Sequence, residues 1–135
     1  MDLFAQENIV DHAQRPRNQG HLEQPSVSHE EHNPLCGDKV RFDLLLADGT
    51  IVDVRFSGRG CAISQAAASM LCEQIGGTTV ANALAISNDD VLDLLAIPIS
   101  YARRRCALLG ITTLRNALAE YHAQSDPNVG AGRSF

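Results

Sequence analysis

No stretch of this chain approaches the ~18 consecutive apolar residues that a membrane span requires. The N-terminus also lacks a basic segment leading into an apolar one before its first charges, so no secretory leader is expected and the protein is read as cytoplasmic. Positive charge is in short supply as well. Eleven Lys and Arg against 16 Asp and Glu leave a net charge of -5, the wrong sign for a surface that binds phosphate backbones, so nucleic acid is excluded as a partner. There is no internal repeat and no low-complexity tract.

What is present is one domain's worth of material. The 135 residues, 44% of them apolar, can bury a single core. A domain over residues 1–124 and a Gly-, Pro- and Ser-containing mobile tail over 125–135 are expected. Four cysteines without a secretory segment read as thiols for metal or sulfur chemistry rather than as a disulfide framework.

Leu3, Phe4, Ile9, Val10 and Ala13 form a loose helical pattern over residues 2–14 that Pro16 ends near Arg15. The segment Pro16-Arg17-Asn18-Gln19-Gly20 is turn chemistry, and the polar stretch from there to Pro34 reads as loop with room for one edge strand. Alternation then begins. Val40, Phe42, Leu44 and Leu46, followed by Val52, Val54 and Phe56, predict two half-buried strands, joined into an antiparallel hairpin by Asp48-Gly49. Gly58-Arg59-Gly60 breaks the second strand, and an alanine-rich helix runs from Cys61 to Ile75 until Gly76-Gly77 stops it. Two short helical pieces follow, around 80–85 and 89–95, the second with cap candidates Ser87 and Asn88. Beyond Pro98 a longer helix places Ala107, Leu108, Ile111, Leu114, Leu118 and Tyr121 on one stripe, which Gly110 interrupts.

Chemistry concentrates at three points. In Cys36-Gly37-Asp38 the two ligand-type side chains are two apart, so along an extended segment they project to the same side. The hairpin returns Cys61 to that end, where a following helix would set it against unpaired backbone N–H groups that favour a thiolate. Cys106 opens the last helix behind Arg103, Arg104 and Arg105, of which Arg103 is the first choice to act on it. Three thiols and one carboxylate suit tetrahedral zinc or an iron-sulfur cluster, with the single oxygen ligand as the exchangeable member. Cys72, eleven residues beyond Cys61 or roughly 16 Å along a helix, cannot share a mononuclear site with it and reads as a small buried hydrophobe. His21, His29, His32 and His122 are expected to be solvated.

The motifs Asn33-Pro34-Leu35-Cys36-Gly37-Asp38, Gly58-Arg59-Gly60-Cys61-Ala62-Ile63-Ser64 and Arg103-Arg104-Arg105-Cys106-Ala107-Leu108-Leu109 resemble those of the IscU/SufU family of iron-sulfur assembly proteins, which includes NifU N-terminal-like domains. The resemblance extends to Asp11-His12 and to Pro16 through Gly20. It implies an α+β fold, a small antiparallel sheet with helices packed on one face. It implies a surface site that receives sulfur from a cysteine desulfurase and serves downstream iron-sulfur assembly or acceptor proteins. Cys36, Asp38, Cys61 and Cys106 would bind zinc or a transient [2Fe-2S] cluster there, Cys106 being the sulfur acceptor and Asp38 the labile ligand. His12 matches the family without an evident chemical role.

The chain departs from the IscU branch in having Arg105 where that branch has His before the last Cys, which is closer to SufU. The Leu-Pro-Pro-Val-Lys chaperone motif is replaced by Ile97-Pro98-Ile99-Ser100-Tyr101. Only 45 residues separate Cys61 from Cys106, too few for the usual SufU insertion, so the resemblance is to a short SufU-like variant. The expected role is a scaffold or sulfur acceptor rather than a free-standing catalyst. The competing expectation is a small structural zinc domain that binds a protein partner without sulfur transfer.

Overall fold

The computed structural model describes residues 3–34 and 37–125. Helix α1 (Leu3–Gln14) comes first, and strands β1 (Val27–Asn33), β2 (Asp38–Ala47) and β3 (Thr50–Arg59) make one antiparallel sheet in the order β1-β2-β3. Helices α2 (Ala62–Ile75), α3 (Val80–Leu84), α4 (Asn88–Leu95) and α5 (Arg104–Ser125) follow, with a 3-10 turn at Tyr101–Arg103 leading into α5. The fold is therefore the α+β arrangement expected. The tail from residue 126 onward, expected to be mobile, lies outside the described residues.

The Asp48-Gly49 turn carries the predicted positive φ values, 52° and 74°, whose twist matches that of the flanking strands. Val40, Phe42 and Leu44 of β2 and Val54 and Phe56 of β3 point into the core. The expected alternation fails at one residue: Ile51 is buried and Val52 is 54% exposed. Between the pairs Leu45–Asp53 and Leu46–Ile51 the register shifts, so β3 holds one extra residue and Val52 is turned outward by a bulge. The expected edge strand is β1, paired along its whole length with β2. On the other side, the Asn18–Gly20 turn lies along β3, with the Phe56 N–H donating to Asn18 O (2.9 Å) and the Gly20 N–H to Phe56 O (2.8 Å). It covers part of an open sheet edge.

Helix α5 lies across β1 and β2, α2 packs on β3 and α5, and α1 packs on α2. Leu71 and Ile75 of α2 and Ile111, Leu114 and Leu118 of α5 close the core over the strands. Gly110, a weak helix former, sits where α5 meets α2, and a Cβ there would lie 3.5 Å from the Cα of Ala68. Small residues at this crossing let the two helices approach closely, which positions their N-terminal ends. Of the cap candidates Ser87 and Asn88, Ser87 is the N-cap of α4, and it forms a reciprocal capping box with Asp90.

Candidate metal centre

Asp38 is the first residue of β2 and shares the core-facing side of the strand with Val40 and Phe42, so its carboxylate is carried inward and is 2% exposed. Cys61 is the N-cap of α2 and Cys106 the third residue of α5. One ligand atom from each of Asp38, Cys61 and Cys106 lies within 4.8 Å of the others. Cys36, the fourth expected ligand, lies outside the described residues.

The Asp38 carboxylate is held by backbone. Its Oδ1 accepts the Cys61 N–H at 3.0 Å, while Oδ2 lies 3.5 Å from the Cys61 thiol, which donates to it. The Cys61 side chain makes no capping bond for α2, so Asp38 supplies from another strand the carboxylate that a capping box draws from within the helix. The room comes from Gly60: at φ +150°, a Cβ on it would stand 2.3 Å from Asp38 Oδ1 and 2.9 Å from Ser64 Oγ. Sequence reading took Gly60 only as a strand breaker. Its role as the seat of the carboxylate had no signal in the sequence beyond its place next to Cys61.

Asp38, Gly60, Cys61, Ala102, Arg103 and Cys106 line one cleft, so Arg103 is the arginine on the Cys106 side, as expected. Arg104 and Arg105 face a neighbouring groove bounded by His32, Asn33 and Pro34, and Ala102 lines both. The donor set passes a simple fit test. A thiolate sulfur about 2.3 Å and a carboxylate oxygen about 2.0 Å from a tetrahedral zinc ion stand about 3.5 Å apart, which matches the 3.5 Å already present between the Cys61 sulfur and Asp38 Oδ2.

Other sequence candidates resolve differently. Cys72 is 1% exposed inside α2, and burial pushes its thiol far up, consistent with a core hydrophobe. His12 is a structural clamp: its Nδ1 is 2.7 Å from Ser69 Oγ, and its Nε2 is 3.3 Å from Glu73, on α2. Burial, helped by Arg17, holds its pKa below the usual histidine value, against the pull of Glu73 and Asp11. His21, His32 and His122 are exposed as expected, but His29 is not solvated. It is wedged between Glu31 on its own strand and Glu120 of α5, with its Nδ1 3.0 Å from the latter. Burial pushes His29 down, but the two carboxylates outweigh it and its pKa is raised.

A three-stranded antiparallel sheet carrying a carboxylate and two thiols at the meeting point of two helix N-termini defines a class of small metal- or cluster-handling assembly domains. The NifU-like N terminal domain family matches residues 4–127, and the chain belongs to it. It is 33% identical to the Bacillus subtilis zinc-dependent sulfurtransferase SufU, over 89% of this chain and 92% of that one. It is 29% identical to the Escherichia coli iron-sulfur cluster assembly scaffold protein IscU, over 89% and 95% respectively. Among solved structures, a Fervidobacterium islandicum protein described as a candidate iron-sulfur cluster assembly scaffold for the SUF system superposes with a TM-score of 0.70 at 31% identity, covering 83% of this chain and 94% of that one. The N-terminal part of a Brucella abortus NifU-like protein reaches a TM-score of 0.78 at 21% identity, over 88% of this chain and 94% of that one, and shows the shared fold. No helix among the described residues is long and apolar enough to cross a membrane.

Proposed function

We propose that this protein is an iron-sulfur assembly protein that accepts sulfur from a cysteine desulfurase on Cys106 and passes it onward. Cys36, Asp38, Cys61 and Cys106 would form a site for zinc or for a transient iron-sulfur cluster. The observation that carries this reading is the convergence of Asp38, Cys61 and Cys106 within 4.8 Å in a cleft open to a partner. Membership of the family and the relatives' printed roles support it.

The transfer is a thiol-persulfide exchange. The Cys106 thiolate attacks the outer sulfur of the donor's cysteine persulfide, the donor's sulfur-sulfur bond breaks, and the donor leaves as a thiolate. Cys106 is left as the persulfide, so no external oxidant or reductant is needed. Zinc, when bound, would keep the thiols deprotonated at neutral pH. Asp38 is suited to be the ligand that yields, because its carboxylate retains the Cys61 N–H when Oδ2 lets go. Gly60 keeps that carboxylate in place while Cys106 becomes available, and Arg103 flanks the incoming anionic sulfur.

A structural zinc domain without sulfur transfer fits less well. The core of large apolar residues from β2, β3, α2 and α5 lies away from the cleft, whereas a domain that depends on metal for folding has little else to bury. The test is mass spectrometry of the zinc-loaded protein after incubation with desulfurase and cysteine. A mass increase of one sulfur localised to Cys106, lost in Cys106→Ser, is expected. Desulfurase turnover unchanged by the protein, with no sulfur on Cys106, would reject the proposal. Metal and acid-labile sulfide analysis of anaerobically purified protein is expected to find zinc.

A further inference from the structure

The cations among the described residues divide into those with a partner and those without. Among the described residues, Arg15 and Arg17 pair with Asp11, Lys39 with Glu30, Arg41 with Asp43, and Arg55 with Asp53. Arg115 is bonded to Asn88 Oδ1 at 2.7 Å and to the Ile86 carbonyl at 2.9 Å. Four cations among the described residues have neither an ion pair nor a side-chain hydrogen bond: Arg59, Arg103, Arg104 and Arg105, all exposed. Three of these four are at or beside the thiol cleft. Arg59 ends β3 opposite Lys39, on the sheet face turned away from Asp38, whereas Arg103 lines the cleft itself. Arg104 and Arg105 line the adjoining groove, about 730 Å³ in volume, whose floor includes Leu108 and whose rim includes Tyr101, 90% exposed.

Unpaired guanidiniums on one face of a protein of net charge -5 are not explained by folding, since the chain has acidic residues to spare for pairing. They are charge held in reserve for something outside the molecule. A long polyanion would meet repulsion from the acidic remainder of the surface as it ran past the cleft, whereas a partner with a compact acidic patch would not. We infer that Arg104 and Arg105 form an electrostatic docking patch beside the cleft for an acidic protein surface. Resting on the function proposed above, the partner is the sulfur donor, which would present carboxylates around its persulfide-bearing cysteine. An exposed aromatic in the same groove as the arginines, Tyr101, fits a protein interface better than a free anion. The patch steers the encounter, and Arg103, which lines the cleft, is left to the chemistry.

The test is single-turnover sulfur transfer from the persulfidated desulfurase to the zinc-loaded full chain, measured across salt concentration. The variants are a double Arg→Glu replacement at positions 104 and 105 and the matching double Arg→Lys. For the native chain the second-order rate should fall about tenfold or more between low and high salt, as steered association does. The double Glu variant should be slowed at least about tenfold at low salt and lose most of its salt dependence, with zinc content and thermal midpoint unchanged. The double Lys variant should stay close to native. A native rate indifferent to salt, or a double Glu variant as fast as native, overturns the docking patch while leaving sulfur acceptance on Cys106 intact. Failure of the native chain to accept sulfur at any salt would instead reject the underlying function. Tight binding of single-stranded RNA that the same Glu replacements abolish, with transfer unaffected, would reassign the arginines to nucleic acid and also overturn the inference.

Discussion

Strand β2 carries two aspartates that are almost equally buried, Asp38 at 2% exposure and Asp43 at 1%, and they do opposite things. Five residues apart, they fall on opposite faces of the sheet. Asp43 lies on the face away from α2 and α5, where Ser28 Oγ donates to it at 2.8 Å, Arg41 Nε at 3.0 Å and the Leu22 N–H at 3.0 Å. Burial alone would push its carboxyl up, but these donors prevail and hold it below the usual carboxylate range. It is an anion locked by fixed donors, tying the 18–26 segment to the sheet. Asp38 lies on the core face, next to thiols. One oxygen is anchored on backbone and the other faces Cys61, an arrangement that holds a carboxylate in place and still leaves it able to change partners. Burial therefore does not distinguish a structural acid from one proposed to hold a metal. The chemistry of the donors does.

The sharpest way to break this comparison is to remove each carboxylate in turn. Asp43→Ala strips three donors of their acceptor and should cost about 3 kcal/mol of stability by denaturant unfolding, while the protein that remains folded still takes up zinc. Asp38→Ala should cost only about 1 kcal/mol in the metal-free protein, the scale of a lost helix cap, yet weaken zinc binding in competition titrations by about tenfold or more. If Asp38→Ala instead destabilised as much as Asp43→Ala and left zinc affinity alone, the distinction would collapse.

Gly60→Ala sharpens the same point from the other side, because the added methyl would occupy the space of Asp38 Oδ1. It should reproduce the zinc defect of Asp38→Ala, with little further loss when the two substitutions are combined. Additive losses would mean that Gly60 does not act through the carboxylate.

The smallest effect is expected at His29. Its pKa is raised in the folded protein, so its contribution is full below the unfolded value of about 6.5 and is lost as pH rises through the folded one. His12 is lowered, so its contribution is full above about 6.5 and is lost as pH falls through its folded value. The two oppose each other near neutrality. His29→Gln should cost about 1 kcal/mol at mildly acidic pH and less at alkaline pH, leaving a variant that loses more stability than the native chain on acidification. A pH-independent loss in chemical denaturation would show that the Glu31 and Glu120 contacts do not depend on the imidazolium.

Much of this could be read along the chain. The alternation in β2, the Asp48-Gly49 turn, the Ser87 cap and the Gly76-Gly77 stop are local signals, each set by a few neighbouring residues, and each appears where expected. The bulge at Val52 was not legible, because a register slip depends on the facing strand and not on the residues that slip. His29 read as one polar residue in a polar stretch, since Glu120 is distant in sequence and reaches it only when α5 crosses β1.

The candidate site divides along the same line. The sequence alone determined which side chains could hold a soft metal, because thiols and a carboxylate declare their chemistry by type, and it placed Asp38 and Cys61 at the same end of a hairpin. Only the tertiary structure decided that Cys106 joins them, through the close crossing of α2 and α5 at Ala68 and Gly110. It alone decided that Gly60 seats the carboxylate and that Arg103 lines the cleft. Those relations depend on how separate elements pack, and packing is decided by the whole core rather than by any one segment.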